Sequence, residues 1–453
     1  MTRALWFLAK VAILVAIAIW LAEHPGNITV EWQGYVIETS FAMMVLFVVG
    51  ALGAAALIYR FWRAIVRAPG SLRRASRARR REKGYKALTQ GMVAVAAGDA
   101  ATARKMARKA DGLLHDPPLT MLLSAQAAQL QGDDKAANNY FHAMLERPET
   151  AFLGLRGLLT QALKSGDRVE ALNLARRAHK LQPNTPWVLT TLYDLEARSG
   201  DWAAAEGMLQ SAVQAGAIPA EEGRHRRAAL LLERSFEAER RGRGDSALYH
   251  AQSAHDLLPG FVPAAARLAR LLAANGRHKP AAKTIERAWR QQPAQELADV
   301  YRQIFEGYDA LTRLKFFEKL AAQTPGHVES HLAVARASLE AELWGEARSH
   351  LMKALDLQPS QRVYRLLADL ERAEHGNEEA AQSWLVQAVS APPDPAWTCR
   401  ACGAVSRDWS GLCGNCNAFD TLEWKTPQVG LHLAPPDRGA IATLPPMAAE
   451  AAR

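Results

Sequence analysis

Cysteine is almost missing from this 453-residue chain: there are four, and all fall between Cys399 and Cys416. A disulfide framework spread through the fold is thereby excluded, and a local cluster is left to explain. Aromatic residues are sparse too, with 9 Tyr and 12 Phe, whereas alanine is used heavily. That mix favours helices packed closely through small side chains over a β-sandwich. Catalytic signatures are wanting. The chain has no G-x-x-x-x-G-K-[ST], no G-x-G-x-x-G, no G-x-S-x-G and no H-E-x-x-H. Gly403 and Asn417 follow the two cysteine pairs, so the C-x-x-C-H signal is absent as well. The 13 histidines are scattered and read as surface or packing residues; His327 and His331 have the i, i+4 spacing that could share a metal or haem iron, but the surface or packing reading is preferred. Acidic doublets such as Glu221-Glu222 and Glu378-Glu379 read as solvated faces. Nothing here points to an enzyme.

What is present begins with charge. The formal net charge is +9, and the segment from Arg60 to Lys83 holds ten Lys/Arg against one acid, Glu82, so the remainder sums to zero. A local basic run does not make a nucleic-acid-binding chain, and this one sits beside apolar sequence. Leu5–Ala22 is an apolar run interrupted only by Lys10, and Phe41–Tyr59 carries no charge. Each is about long enough to cross the hydrocarbon core as a helix. The connection from Glu23 to Ser40 has three Glu and no Lys or Arg. The excess of basic residues outside that connection predicts two spans with both termini in the cytoplasm. Within the connection, Ile28–Trp32 and Tyr35–Glu38 flank Gln33-Gly34 and predict a β-hairpin. The basic run at 60–83 predicts a helical extension against anionic lipid headgroups.

A 34-residue period follows. Gly98-Asp99, Gly132-Asp133, Gly166-Asp167 and Gly200-Asp201 recur at that spacing, and Ala103, Ala137, Ala171 and Ala205 come five residues after each glycine. The phase slips by eight residues and resumes at Gly242, Gly276, Glu342 and Gly376, with Ala247, Ala281, Ala347 and Ala381 at the same offset. Pro183, Pro259, Pro293, Pro359 and Pro393 lie seventeen past the glycine position. Glycine ends one helix in a left-handed conformation, Asp caps the next, Ala fits where the two cross, and Pro closes the unit. On this punctuation, residues 85–393 resemble the tetratricopeptide family, with about nine units. The resemblance implies a stacked superhelix whose groove holds protein partners. The slip, around Ala217–Arg227, is read as a longer inter-repeat loop or lengthened helices, or else as a bend that divides the solenoid into two lobes with a functional surface at the joint.

After Ala391–Pro395 come Cys399-x-x-Cys402 and, ten residues on, Cys413-x-x-Cys416. Two C-x2-C turns complete a tetrahedral four-thiolate site with no open position, the closed geometry of structural zinc. Cys399, Cys402, Cys413 and Cys416 are the predicted ligands. Gly403 and Asn417 tolerate the left-handed conformation such turns need, and Trp397, Trp409, Phe419 and Trp424 supply a small core. The segment also resembles rubredoxin, which holds iron; the lack of any other electron-transfer feature favours zinc.

The expectation is an all-α chain. It comprises an anchor at 1–84 with two transmembrane helices, a tetratricopeptide superhelical solenoid at 85–393, a small zinc-ribbon or rubredoxin-like module at 394–425, and a disordered tail at 426–453. Two spans, an outer connection containing Val30-Glu31-Trp32-Gln33-Gly34-Tyr35, a basic stretch and a repeat array together resemble the HemY family. That resemblance implies a bacterial inner-membrane protein associated with late haem and porphyrin biosynthesis. Its partners would be haem-pathway enzymes or porphyrin itself, although no residue here shows porphyrin binding. The four-cysteine end is similar to that of LapB, a tetratricopeptide regulator of lipopolysaccharide assembly with one N-terminal span. An adaptor of that kind is the second reading. An enzyme handling redox chemistry or porphyrin through an iron-loaded four-cysteine centre is the third.

Overall fold

The punctuation read from the sequence appears in the backbone. Gly98, Gly132, Gly166, Gly200, Gly242, Gly276 and Gly376 all have φ between 60° and 84°, and Glu342 takes the same conformation at 60°. The alanines five residues later, from Ala103 to Ala381, are fully buried. Asp99, Asp133, Asp167 and Asp201 each accept a hydrogen bond from the backbone N–H three residues on, at 3.0–3.1 Å. The computed structural model describes residues 2–23, 26–32, 34–114 and 117–427. The expected disordered tail lies, from residue 428 onward, outside the described residues.

The chain divides into two units, Met1–Gln131 and Gly132–Arg453. The first begins with helix α1 (Thr2–Glu23) and strands β1 (Asn27–Trp32) and β2 (Tyr35–Ser40). The strands pair antiparallel from Asn27↔Ser40 to Trp32↔Tyr35, the hairpin expected, although Gln33 at its turn is outside the described residues. Helix α2 (Phe41–Ala96) follows without a break. Its first part, Phe41–Arg63, has mean hydropathy 2.6 and none of it is buried, so it is long and apolar enough to cross a membrane. The apolar stretch Leu5–Trp20 of α1 is shorter. The helical extension of the basic run is the continuation of α2. Its end packs with α3 (Ala100–Leu114) and α4 (Pro117–Leu130) around Leu88, Ala107 and Leu123.

The second unit stacks antiparallel helices. These are α5 (Asp134–Leu145), α6 (Pro148–Ser165), α7 (Arg168–Leu181), α8 (Pro186–Ser199), α9 (Trp202–Gln214), α10 (Ala220–Arg240) and α11 (Gly244–Leu257). They continue as α12 (Val262–Ala274), α13 (His278–Gln291), α14 (Gln295–Ile304), α15 (Ala310–Ala321), α16 (Val328–Glu340), α17 (Trp344–Leu357), α18 (Gln361–His375) and α19 (Glu378–Ser390). Charge pairs tie neighbours together: the half-exposed Arg176 on α7 grips the buried Glu196 on α8 through two bonds of 2.7 and 2.8 Å. The eight-residue slip is a lengthened helix, α10, of 21 residues. The chain closes with β3 (Ala396–Cys399), β4 (Val405–Ser406) and β5 (Leu422–Lys425), a three-stranded antiparallel sheet in the order β4-β3-β5.

Glu342 is exposed and holds a left-handed backbone that costs a residue with a Cβ about 1–2 kcal/mol. Glu342→Gly is therefore expected to stabilise the protein by about 1 kcal/mol. Thermal unfolding of the full chain in detergent measures it, and an unchanged or lowered midpoint goes against this account of the turn.

Candidate metal centre and its seat on the helices

Each cysteine pair opens a tight turn. Gly403 N–H donates to Cys399 O at 2.8 Å and Asn417 N–H to Cys413 O at 2.9 Å. Gly403 and Asn417 have φ of 71° and 58°, as the turns require. The four Sγ atoms lie within 4.8 Å of one another, with Cys399–Cys416 at 3.8 Å and Cys402–Cys413 at 3.6 Å. A metal–sulfur bond of about 2.3 Å in a tetrahedron separates its sulfurs by about 3.8 Å. The spacing of these donors thus suits one tetrahedral cation.

The electrostatics agree. Burial opposes ionisation of Cys399, but bonds from Thr421 Oγ1 and the backbone N–H groups of Cys402 and Ala401 outweigh it and bring the thiol down to about 7. Burial, reinforced by the neighbouring sulfurs, pushes Cys413 up and Cys416 up to about 12. One thiolate forms readily and further negative charge is resisted, a penalty that a divalent cation removes. Thr421, 3.2 Å from Cys399 Sγ, supports this site and has no motif that announces it.

The ribbon does not hang from a free connector. Gln361 N–H donates to Pro392 O at 3.3 Å, and Arg362 N–H to Asp394 Oδ1 at 3.1 Å. Beyond that tether the ribbon lies on α8, α10 and the start of α12. Trp409 meets Phe261 edge-on at 5.3 Å, and Phe419 sits 6.2 Å from Tyr193 and 5.9 Å from Trp202. Gly411 N–H donates to Glu233 Oε1 at 2.6 Å. A Cβ at Gly411 would come within 2.7 Å of Glu233, so only glycine fits that approach. Burial raises Glu233, against the lowering effect of the same N–H. His225 Nδ1 and Asp420 Oδ2 stand 2.9 Å apart at the rim. Ribbon and helices share one apolar cluster that includes Leu189, Leu230, Trp397 and Leu422.

Between them lies a cavity of about 650 Å³. Phe261, Val262 and Glu296 line it from the helices, and Trp397, Arg400 and Trp424 from the ribbon. The volume is in the range of binding pockets. The ribbon sits on the lengthened helix at the slip. The histidines proposed to pair at i, i+4 do not do so: His327 caps α16, its Nδ1 accepting from Glu329 N–H at 3.1 Å, and His331 faces His350.

Comparison with known proteins matches both ends and the middle. Residues 26–132 match the family described as HemY protein N-terminus, 238–304 the tetratricopeptide repeat, and 397–423 the rubredoxin metal binding domain of LapB type. The helical stack has tetratricopeptide architecture, the N-terminal part is similar to that of HemY, and the C-terminal ribbon is similar to that of LapB. It is 27% identical over 423 residues to the probable magnetosome protein Mms48 of Magnetospirillum gryphiswaldense, covering 91% of this chain and 90% of that one. It is 24% identical to HemY of Escherichia coli over 197 residues, 43% of this chain and about half (49%) of that protein's length. A crystal structure of a tetratricopeptide repeat protein from Parabacteroides merdae overlays with a TM-score of 0.28 at 16% identity, covering 53% of this chain and 93% of that one.

Phe419→Ala leaves all four cysteines in place but removes the ring packed on Tyr193 and Trp202. It is expected to cost about 3–5 kcal/mol and to free the ribbon for proteolysis near residue 391 while the bound metal stays. A resistant ribbon would mean that the seat contributes little. The pair at the rim adds a pH dependence. His225 is raised above its ordinary value, chiefly by its bond to Asp420 and against the opposing effect of burial. Its contribution is full below the unfolded histidine pKa of about 6.5 and is lost as pH rises through the higher folded value. The same proteolysis should therefore speed up across that rise in the native chain, and show no such step in His225→Gln.

Proposed function

We propose that the protein is a non-catalytic adaptor held at the cytoplasmic face of a bacterial inner membrane. In this reading α1 and the start of α2 are two spans with both termini cytoplasmic, and residues 60–83 lie against anionic headgroups. The repeats and the ribbon gather proteins of late haem and porphyrin biosynthesis. The observation that carries the reading is the seat: helices and ribbon, distant in the chain, close over one cavity, and Gly411 bonds Glu233 across 178 residues. A wall built from two distant segments offers a partner a preformed surface, which lowers the ordering cost of binding. The match of residues 26–132 to the HemY N-terminus supports the haem connection.

Cys399, Cys402, Cys413 and Cys416 would hold a structural zinc. All four positions of a tetrahedral ion are then taken by protein, so the metal fixes the ribbon and offers substrate no place. The ribbon match favours one alternative, an adaptor for lipopolysaccharide assembly or membrane proteolysis like LapB. Depleting the protein in cells separates the two. Accumulated porphyrin precursors with falling haem are expected, whereas unchanged porphyrins with altered lipopolysaccharide transfer the assignment to the alternative. Metal analysis of the purified chain should give a colourless protein with stoichiometric zinc; a red iron protein would instead make the ribbon an electron carrier.

A further inference from the structure

A second set of metal donors lies away from the ribbon. His331 on α16 and His350 on α17 face each other with Nδ1 atoms 3.1 Å apart and ring planes at 53°. Both rings are half-buried. At that distance a neutral pair has one ring donating from Nδ1 and the other accepting. Glu346 stands one turn before His350 on the same helix. Glu318, on α15, lies close enough to Glu346 and His350 to interact with both electrostatically. Among the described residues neither carboxylate has an ion-pair partner. The nearby cations are Lys315, which acts on Glu318, and Lys353, which acts on both histidines.

Helices α16 and α17 thus bring two imidazoles face to face, with Glu346 one turn from His350 and Glu318 near it on α15. We propose that His331, His350, Glu346 and Glu318 form a second metal site, which takes a first-row divalent ion such as Zn²⁺, Ni²⁺ or Co²⁺ reversibly and staples α15, α16 and α17 together. A tetrahedral ion about 2.0–2.1 Å from each imidazole nitrogen sets those nitrogens about 3.3–3.4 Å apart, close to the separation already present. Imidazole with carboxylate selects this class over Mg²⁺ and Ca²⁺, which prefer oxygen donors alone. On loading, the donating ring moves its proton from Nδ1 to Nε2 through solvent, so the imidazoles release none.

Among the described residues, only the four cysteines already converge three or more ligand atoms. Glu318 and Glu346 therefore swing in on loading. Glu318 is exposed and Glu346 half-buried, which leaves them room to do so. The site differs from the ribbon in being open, oxygen- and nitrogen-liganded, and exchangeable.

The test titrates the full chain, already zinc-loaded at the ribbon and held in detergent, with Co²⁺. One further equivalent is expected, with cobalt d–d absorption and no sulfur-to-cobalt charge-transfer band. His331→Ala and His350→Ala should each weaken uptake by about tenfold or more; His327→Ala should leave it unchanged. The double variant Glu318→Gln, Glu346→Gln keeps both rings and should also weaken it, which answers any doubt about folding of the histidine variants. No uptake by the native chain beyond the ribbon overturns the site. So does uptake that survives loss of both histidines, or a band that reports sulfur.

Discussion

Where two antiparallel helices cross at an alanine, their backbones come close enough that no larger side chain fits between them. The pair then has its inner faces closed and its outer apolar faces open, and only another element can cover those. Most helices of the second unit answer to this requirement; the α14–α15 pair, whose turn holds no left-handed residue, is the exception. The alanines fully buried at the crossings fix how near the partners lie, and the left-handed residue before each fixes the angle at which the second helix returns. Leu209, Ile285 and Leu351 then fill the space between one pair and the next. The result is a stack without a single centre, in which each interface is local.

At one place the covering element comes from elsewhere in the chain. Helix α10 is longer than its neighbours, and the surface it makes with α8 and α12 is covered by the ribbon, with Trp409 and Phe419 as the large side chains. A sheet of three short strands buries too little to be stable alone. The metal supplies the missing cohesion from within, and the helices supply it from outside. Each half of this arrangement is incomplete without the other. The charged contacts at its edge, His225 with Asp420 and Glu233 with Gly411, orient the ribbon; the apolar contacts hold it.

Much of this was legible in the sequence because it is written at short range. A helix hairpin spans one period, so Gly166, Asp167 and Ala171 announce their turn, cap and crossing within six residues. The cysteine pairs do the same for the metal turns. Glu342 is the instructive exception: a position that ordinarily needs glycine was found only because the period placed it there. The seat of the ribbon was not legible. Tyr193, Glu233 and Phe261 carry no motif, and nothing local tells a leucine under another repeat from a leucine under a ribbon. The histidines show the same limit. Spacing along one helix suggested His327 with His331, while the crossing of α16 and α17 brings His331 to His350, nineteen residues away.

The order of synthesis gives the seat a further meaning. Arg198 and its contact Asn417 are separated by 219 residues. At a translation rate of about 5–20 residues per second, the helices under the ribbon wait on the order of ten to forty seconds for their cover. During that interval Tyr193, Trp202 and Phe261 are an open apolar surface on a nascent chain. A chaperone has that long to bind there, and a chain broken off before Cys413 never buries it. A chain without the ribbon leaves open the apolar surface that the ribbon covers.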